Sequence, residues 1–296
     1  MRYMIVYYCN MKILITGGSG TLGSSLCELL SLINDVEEIV IFSRSEDKQI
    51  LVKNKNISEK IRYVIGDVRD YPALLLATRD MNLVIHTAAI KHIDIAEENP
   101  LETAETNIVG LVNVVKASKI NKVNNVFFIS TDKASLPSGI YGVSKLMGEK
   151  IAIASSDEKT KMSIFRFGNI IGSSGSIFQR WPEQIKKFGT INVTDKRMTR
   201  FFIDKNDAAS YIVSKIGLAK GKEIFIPKMD KKKIFDIAMS FVDSDSQINV
   251  IGARTSEKIH ENILSKEEYG RLIENDKEYI ILPGDDQMPD ITSGGA

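Results

Sequence analysis

Only two cysteines, Cys9 and Cys27, occur in 296 residues, and their spacing suggests no pair. That excludes a disulfide framework and points to a reducing compartment, read here as the cytoplasm. Histidine is also scarce. His86, His92 and His260 lack metal-ligand spacing, so each is read as a packing or hydrogen-bonding residue and no metal site is expected. Neither sign of charge dominates: the formal net charge is +1, which gives no electrostatic ground for a nucleic-acid or membrane partner. No apolar run reaches the ~20 residues of a membrane helix, and no internal repeat or low-complexity segment stands out. Residues 1–10 are apolar but short and lack the layout of a signal peptide. They are expected to form an edge strand or a disordered leader, with Met11 an alternative start.

What is present is enough apolar material, 43% of the chain, to bury a large α/β core. Met11-Lys-Ile-Leu-Ile-Thr16 has the composition of a buried parallel strand, and it runs directly into Gly17-Gly-Ser-Gly20-Thr-Leu-Gly23 and then a helical pattern. Glycines at 17, 20 and 23 permit a tight turn, close backbone approach to a pyrophosphate and close helix–strand packing, with the helix N-terminus facing the phosphates. The second strand, Glu38–Phe42, ends at Ser43-Arg44-Ser45, where an NAD site normally carries an acidic residue. Arg44 is suited to a 2′-phosphate, so NADP is favoured over NAD.

The segment 130–145 carries the most chemistry. Asp132 and Lys133 follow the apolar run Val126–Ile129, and Tyr141 with Lys145 forms a Tyr-x-x-x-Lys pair. On a helix that spacing places the two side chains one turn apart on one face. A lysine ammonium beside the phenol lowers its pKa and makes it a usable base. Asp132 suits a general acid if burial raises its pKa, and Lys133 a base if burial and neighbouring cations lower its own.

Taken together, Thr-Gly-Gly-x-Gly-x-x-Gly, Ser-Thr-Asp-Lys and Tyr-x-x-x-Lys resemble the extended short-chain dehydrogenase/reductases, and within them the inverting UDP-N-acetylglucosamine 4,6-dehydratases. Further stretches fit the same pattern: Gly66-Asp67-Val68-Arg69-Asp70, His86-Thr-Ala-Ala-Ile-Lys91-His92, Arg166-Phe-Gly-Asn169, Met198-Thr-Arg200-Phe and Gly252-Ala-Arg254 through Glu257 to Glu261. The chain departs from it at Thr255-Ser256, where the family usually has Pro-Gly, and in a short tail after Gly284. Both departures bear on C-terminal substrate contacts.

The resemblance implies a Rossmann-type doubly wound parallel sheet with a smaller C-terminal α/β substrate-binding lobe. The NADP-binding domain would span 11–168, with later segments returning to it. The nucleotide-sugar lobe would span 169–284, and 1–10 and 285–296 would be peripheral. Cofactor contacts are expected from Gly17, Ser19, Gly20, Thr21, Leu22, Gly23, Ser43, Arg44, Ser45, Lys48, Asp67, Val68, Ala88, Ser130, Tyr141 and Lys145. The UDP-N-acetylhexosamine would be held by Lys91, Asn169, Ser173, Arg200 and Arg254. Thr131, Asp132, Lys133, Tyr141 and Lys145 would carry out the reaction. The helical patterns 100–120 and 141–155 would pair across a homodimer axis through Leu111, Val114, Val115, Leu146 and Ile151. A UDP-sugar 4-epimerase and a catalytically silent NADP-binding regulator are the alternative readings.

Overall fold

The computed structural model describes residues 10–173, 175–254 and 256–284. The expectations for the leader and for the tail after Gly284 therefore lie almost wholly outside the described residues. The strands are β1 Met11–Thr16, β2 Val36–Ser43, β3 Ile61–Ile65, β4 Leu83–His86, β5 Asn125–Thr131, β6 Lys161–Phe167, β7 Asn169–Ile171, β8 Ile191–Val193, β9 Thr199–Asp204, β10 Ile224–Pro227, β11 Asp230–Lys233, β12 Ile248–Val250, β13 Leu272–Glu274 and β14 Glu278–Ile281.

Nine of them form one sheet in the order β13-β14-β10-β6-β5-β4-β1-β2-β3. From β3 to β10 every pairing is parallel, and β14 and β13 close one edge antiparallel. The strands are buried on both faces, so their side chains divide by alternation between two cores. Ile13, Ile15, Ile39, Ile41, Phe127 and Phe165 meet helices Thr21–Ser31 and Lys205–Ser214 on one face. Leu14, Val40, Val84, Phe128 and Ile164 meet helices Tyr71–Ala77, Gly110–Ile120 and Ile140–Ser155 on the other. The chain order reverses between β1 and β4, and the crevice at such a reversal is where doubly wound sheets take their ligands.

A second layer stands over that crevice. Sheets β11-β9-β7 and β12-β8, with helices Ile177–Phe188 and Ile234–Met239, close around Trp181, Ile191, Met198, Phe202 and Ile248.

Two local expectations are corrected. The segment 100–120 is not one α-helix: a π-helical turn, Glu105–Val109, interrupts it. There Asn107 turns inward, accepting from the Ile90 amide at 2.8 Å and donating to the Ile90 carbonyl and the Ser144 hydroxyl at 3.0 Å each. This ties the loop after β4 to the helix bearing Tyr141. The expected dimer-face residues Leu111, Val114 and Val115 belong to the core, and Ile151 packs against it. The exposed large apolar side chains of these segments are instead Leu101 (80%), Ile120 (61%), Val143 (50%), Met147 (48%) and Val109 (39%).

Candidate active site

A cleft of about 820 Å³ runs from the glycine turn after β1 to the smaller layer. At its first end the walls are backbone. Gly17 has φ +70°, and a Cβ there would lie 2.8 Å from the Ala88 amide nitrogen. A Cβ on Gly23 would lie 2.6 Å from the Gly18 Cα. Gly20 caps the helix Thr21–Ser31 without a side-chain hydrogen bond, so the first amides of that helix face the cleft as donors for an anion. This cradle fits a dinucleotide pyrophosphate. Beside it the Ser19 hydroxyl donates to Ser43 Oγ at 2.9 Å. The buried Gln49 amide donates to the Ser43 carbonyl and hydroxyl and to the Val64 carbonyl, which fixes the end of β2. Arg44 is exposed at the rim, 3.9 Å from Asp67. Burial pushes the Asp67 carboxyl up, but the Arg69 hydrogen bonds, aided by Arg44, hold it below the ordinary carboxylate value.

At the far end the walls are charged side chains on the termini of β5 and β9, the start of helix Ile140–Ser155 and the 256–261 segment. Thr131, Lys133, Tyr141 and Lys145 line the cleft here, as do Lys91, Asn169, Ser173, Arg200 and Arg254 from the substrate set. The sixteen expected cofactor residues, Ser45, Lys48, Val68 and Ser130 among them, line it too. Asp132 is the exception. It is fully buried, its Oδ1 accepting from Thr131 Oγ1 and Lys133 Nζ at 3.0 Å each, and its Oδ2 has no partner among the described residues.

Two electrostatic expectations are reversed. Burial and the Asp132 carboxylate push the Tyr141 phenol up. The groups that draw it down are the Lys133 ammonium and a hydrogen bond with Thr131, whereas Lys145 was the expected partner. Lys145 lies 4.3 Å from the Phe128 ring centroid; burial pushes its ammonium down to about 7, opposed by Glu149. Lys133 is the opposite case: burial lowers it, but the facing Asp132 and Glu261 carboxylates outweigh burial and Arg200, so its ammonium is held above the usual lysine value. In the free protein Lys133 is therefore a charged donor and not a ready base.

Arg200 is buried, donating to the Thr199 and Ile259 carbonyls and to Glu257 at 3.3 Å. Arg254 donates to Asp94 at 2.9 Å, so an incoming diphosphate would have to take it from that partner. Burial, with Lys48, pushes the Lys91 ammonium down.

Behind the site, Arg166 is fully buried between Glu149, at 2.7 and 3.1 Å, and Glu268, at 2.7 and 3.0 Å; Ser130 also donates to Glu149. Gln49, Glu149, Glu257, Glu261 and Glu268 went unassigned in the sequence reading. Glu149 stands one helical turn beyond Lys145, and Glu257 and Glu261 lie in the last family-like stretch, but nothing local marks Gln49 or Glu268. The histidines form no metal cluster among the described residues. His86 bonds Thr16 at 2.7 Å and is pushed down to about 3 by burial and by Lys145.

Residues 13–283 match the polysaccharide biosynthesis protein family. The chain belongs to that family. An inverting UDP-N-acetylglucosamine 4,6-dehydratase of Campylobacter jejuni is 38% identical over 277 residues, covering 92% of this chain and 83% of the relative. A UDP-glucose 4-epimerase of Rickettsia rickettsii is 33% identical over 288 residues, 94% and 84% of the two chains. The crystal structure of Pen from Bacillus thuringiensis superposes on this family member with a TM-score of 0.89 at 33% identity, covering 94% and 89%. Among the described residues no helix is long and apolar enough to cross a membrane.

Proposed function

We propose that the protein is a hydro-lyase acting on UDP-N-acetylglucosamine, removing water across C5 and C6 after oxidation at C4 and inverting C5. The observation that carries this is the Thr131-Asp132-Lys133 cluster beside Tyr141, at the opposite end of the cleft from the glycine cradle, in a close relative of an inverting dehydratase.

NADP is the cofactor that suits the cradle, with Arg44 at the position for a 2′-phosphate and no carboxylate at the end of β2. When bound, it would supply the acceptor for the C4 hydride and the donor that returns it to C6. Tyr141 takes the C4 hydroxyl proton while Thr131 hydrogen-bonds the same oxygen. The resulting ketone acidifies the C5 hydrogen. The proton that Tyr141 takes from C4 passes through Thr131, whose hydroxyl bonds both side chains, to Asp132. Asp132 gives it to the C6 hydroxyl as that departs, reaching it after Lys133 or Thr131 has moved; Lys133 removes H5 once it has lost its own proton. Lys91, Asn169, Ser173, Arg200 and Arg254 hold the nucleotide sugar, the arginines matching phosphate geometry.

Incubation with a panel of UDP- and dTDP-hexoses, followed by mass spectrometry for loss of one water, tests the reading. Run in deuterium oxide, the product should carry deuterium at C5 and the L-arabino configuration, read from proton couplings. A D-xylo product overturns the inversion but leaves the dehydration. The 33% identity to an epimerase supports the second reading, in which the 4-ketone is reduced on its other face and no water is lost.

The exposed Leu101, Val143 and Met147 favour a homodimer through these helices, and the free, buried Cys27 suits a cytoplasmic location.

A further inference from the structure

Lys133 has two exposures. Through one it faces the large cleft. Through the other it faces a separate cavity of about 10 Å³, lined by Lys133, Tyr141, Glu261, Glu97, Ser138 and Ser256, with exposed Ser138 at the surface side. That volume accommodates about one water, and the lining supplies the polar partners such a water needs. Glu261 contributes to this cavity and not to the cleft. Its Oε1 lies 3.6 Å from Lys133 Nζ, and its Oε2 is buried without a partner among the described residues.

We infer that Glu261 is a positioning residue that takes the surplus proton from Lys133 and hands it to solvent through this rear cavity. The inference rests on the dehydratase reading. A nucleotide sugar seated in the cleft closes the front route, yet Lys133 cannot remove H5 while it is an ammonium. Once side-chain movement closes the 3.6 Å gap to hydrogen-bond distance, one N–H bond on Lys133 breaks, its electron pair stays on Nζ, and the proton bonds to Oε1 of Glu261. The freed pair on Nζ then takes H5, and the C5–H electrons pass into the C4 ketone. The proton on Glu261 passes to the cavity water and out, which restores the carboxylate.

The groups facing Lys133 fit this assignment. Asp132, on its own turn, accepts from Nζ at 3.0 Å but lines neither cavity in the free protein, so it offers the proton no route to solvent. Arg200 from β9 is a cation already bound to Glu257, and Tyr141 from helix Ile140–Ser155 is the base for C4. Glu97, from the helix Ile93–Glu98, lines the rear cavity but accepts from the Ile140 amide at 2.7 Å. Glu261 is the carboxylate that touches Lys133 from the solvent side.

The test compares wild type, Glu261→Gln and Glu261→Asp in two ways. In the first, the unliganded proteins are labelled with trace acetic anhydride across a pH series, and acetylation of Lys133 is read by peptide mass spectrometry. The midpoint should fall by about one pH unit or more in Glu261→Gln and stay near wild type in Glu261→Asp. An unchanged midpoint overturns the pairing of Lys133 with Glu261, whether or not any sugar is turned over. In the second, kcat with UDP-N-acetylglucosamine should fall by about tenfold or more in Glu261→Gln at neutral pH, with KM little changed. The deficit should shrink as pH rises through the new Lys133 midpoint, and Glu261→Asp should recover most of the rate. A loss equal at every pH, or none, overturns the proton route. A wild type that dehydrates no hexose overturns the functional reading instead, and the labelling arm still decides whether Glu261 governs Lys133.

Discussion

The two ends of the cleft are built from different materials. The dinucleotide end is backbone: a left-handed glycine, two glycines packed against neighbouring chain, and the N-terminus of a helix. The sugar end is a cluster of buried charges, with Asp132, Glu257 and Glu261 around Lys133 and Arg200. The first end works through shape and fixed dipoles and should tolerate changes of pH. The second depends on where protons sit, so its properties are set by neighbours distant in sequence.

The largest effect that could break this contrast is at the sugar end. Tyr141→Phe should abolish turnover, with no ketone detectable by mass spectrometry, while cofactor affinity measured by titration stays within a few-fold of wild type. If cofactor affinity collapses as well, the two ends are not separable. Next, Asp132→Asn should leave oxidation at C4 possible but slow the loss of water by roughly 10²–10⁴-fold. Dehydration at the normal rate would move the acid to another residue.

At the backbone end, Gly17→Ala places a methyl 2.8 Å from the Ala88 amide nitrogen at φ +70°. Strain of roughly 1–3 kcal/mol should appear as about five- to 150-fold weaker cofactor binding. Arg44→Ala should narrow the preference for NADP over NAD by at most about 1.5–3 kcal/mol per charge-assisted bond lost. Equal affinities in the unmutated protein would remove the basis for the preference.

The last effect is on stability. Burial lowers Lys145 to about 7 in the folded protein from its ordinary 10.5. Between these two values the unfolded chain binds the extra proton, so the unliganded protein should gain stability as pH rises through that window. Lys145→Met should flatten that rise in thermal melts and raise the melting temperature at neutral pH, although the variant is inactive. A pH dependence unchanged in Lys145→Met would mean that other groups set it.

The same contrast explains what could be read from the sequence. The glycine turn, the end of β2 and the Tyr141–Lys145 pair lie in short contiguous stretches whose residues must touch, so spacing alone placed them. The protonation of Lys133 could not be read this way. It is decided by Asp132 beside it together with Glu261, 128 positions further along the chain (261 − 133), whose approach no local spacing shows. The supposed dimer stripe failed for another reason. Helix Gly110–Ile120 has apolar side chains enough for a stripe, but periodicity does not say which side the sheet covers, and Leu111, Val114 and Val115 went to the core. The π-turn at Glu105–Val109 was missed because one extra residue in a turn leaves no mark on composition.

Arg166 has a consequence for how the molecule is made. It is fully buried, and one of the two carboxylates that neutralise it, Glu268, lies 102 residues further along the chain. A nascent chain can lay down β1 to β6 in order, but it cannot finish the wall behind Ser130 and Lys145 until 102 further residues have been translated. Polypeptides stalled before that point carry an arginine with half its partners missing, a buried charge left partly uncompensated and therefore destabilising. The wall behind the active site is thereby finished only when a segment from far along the chain has folded back onto β6.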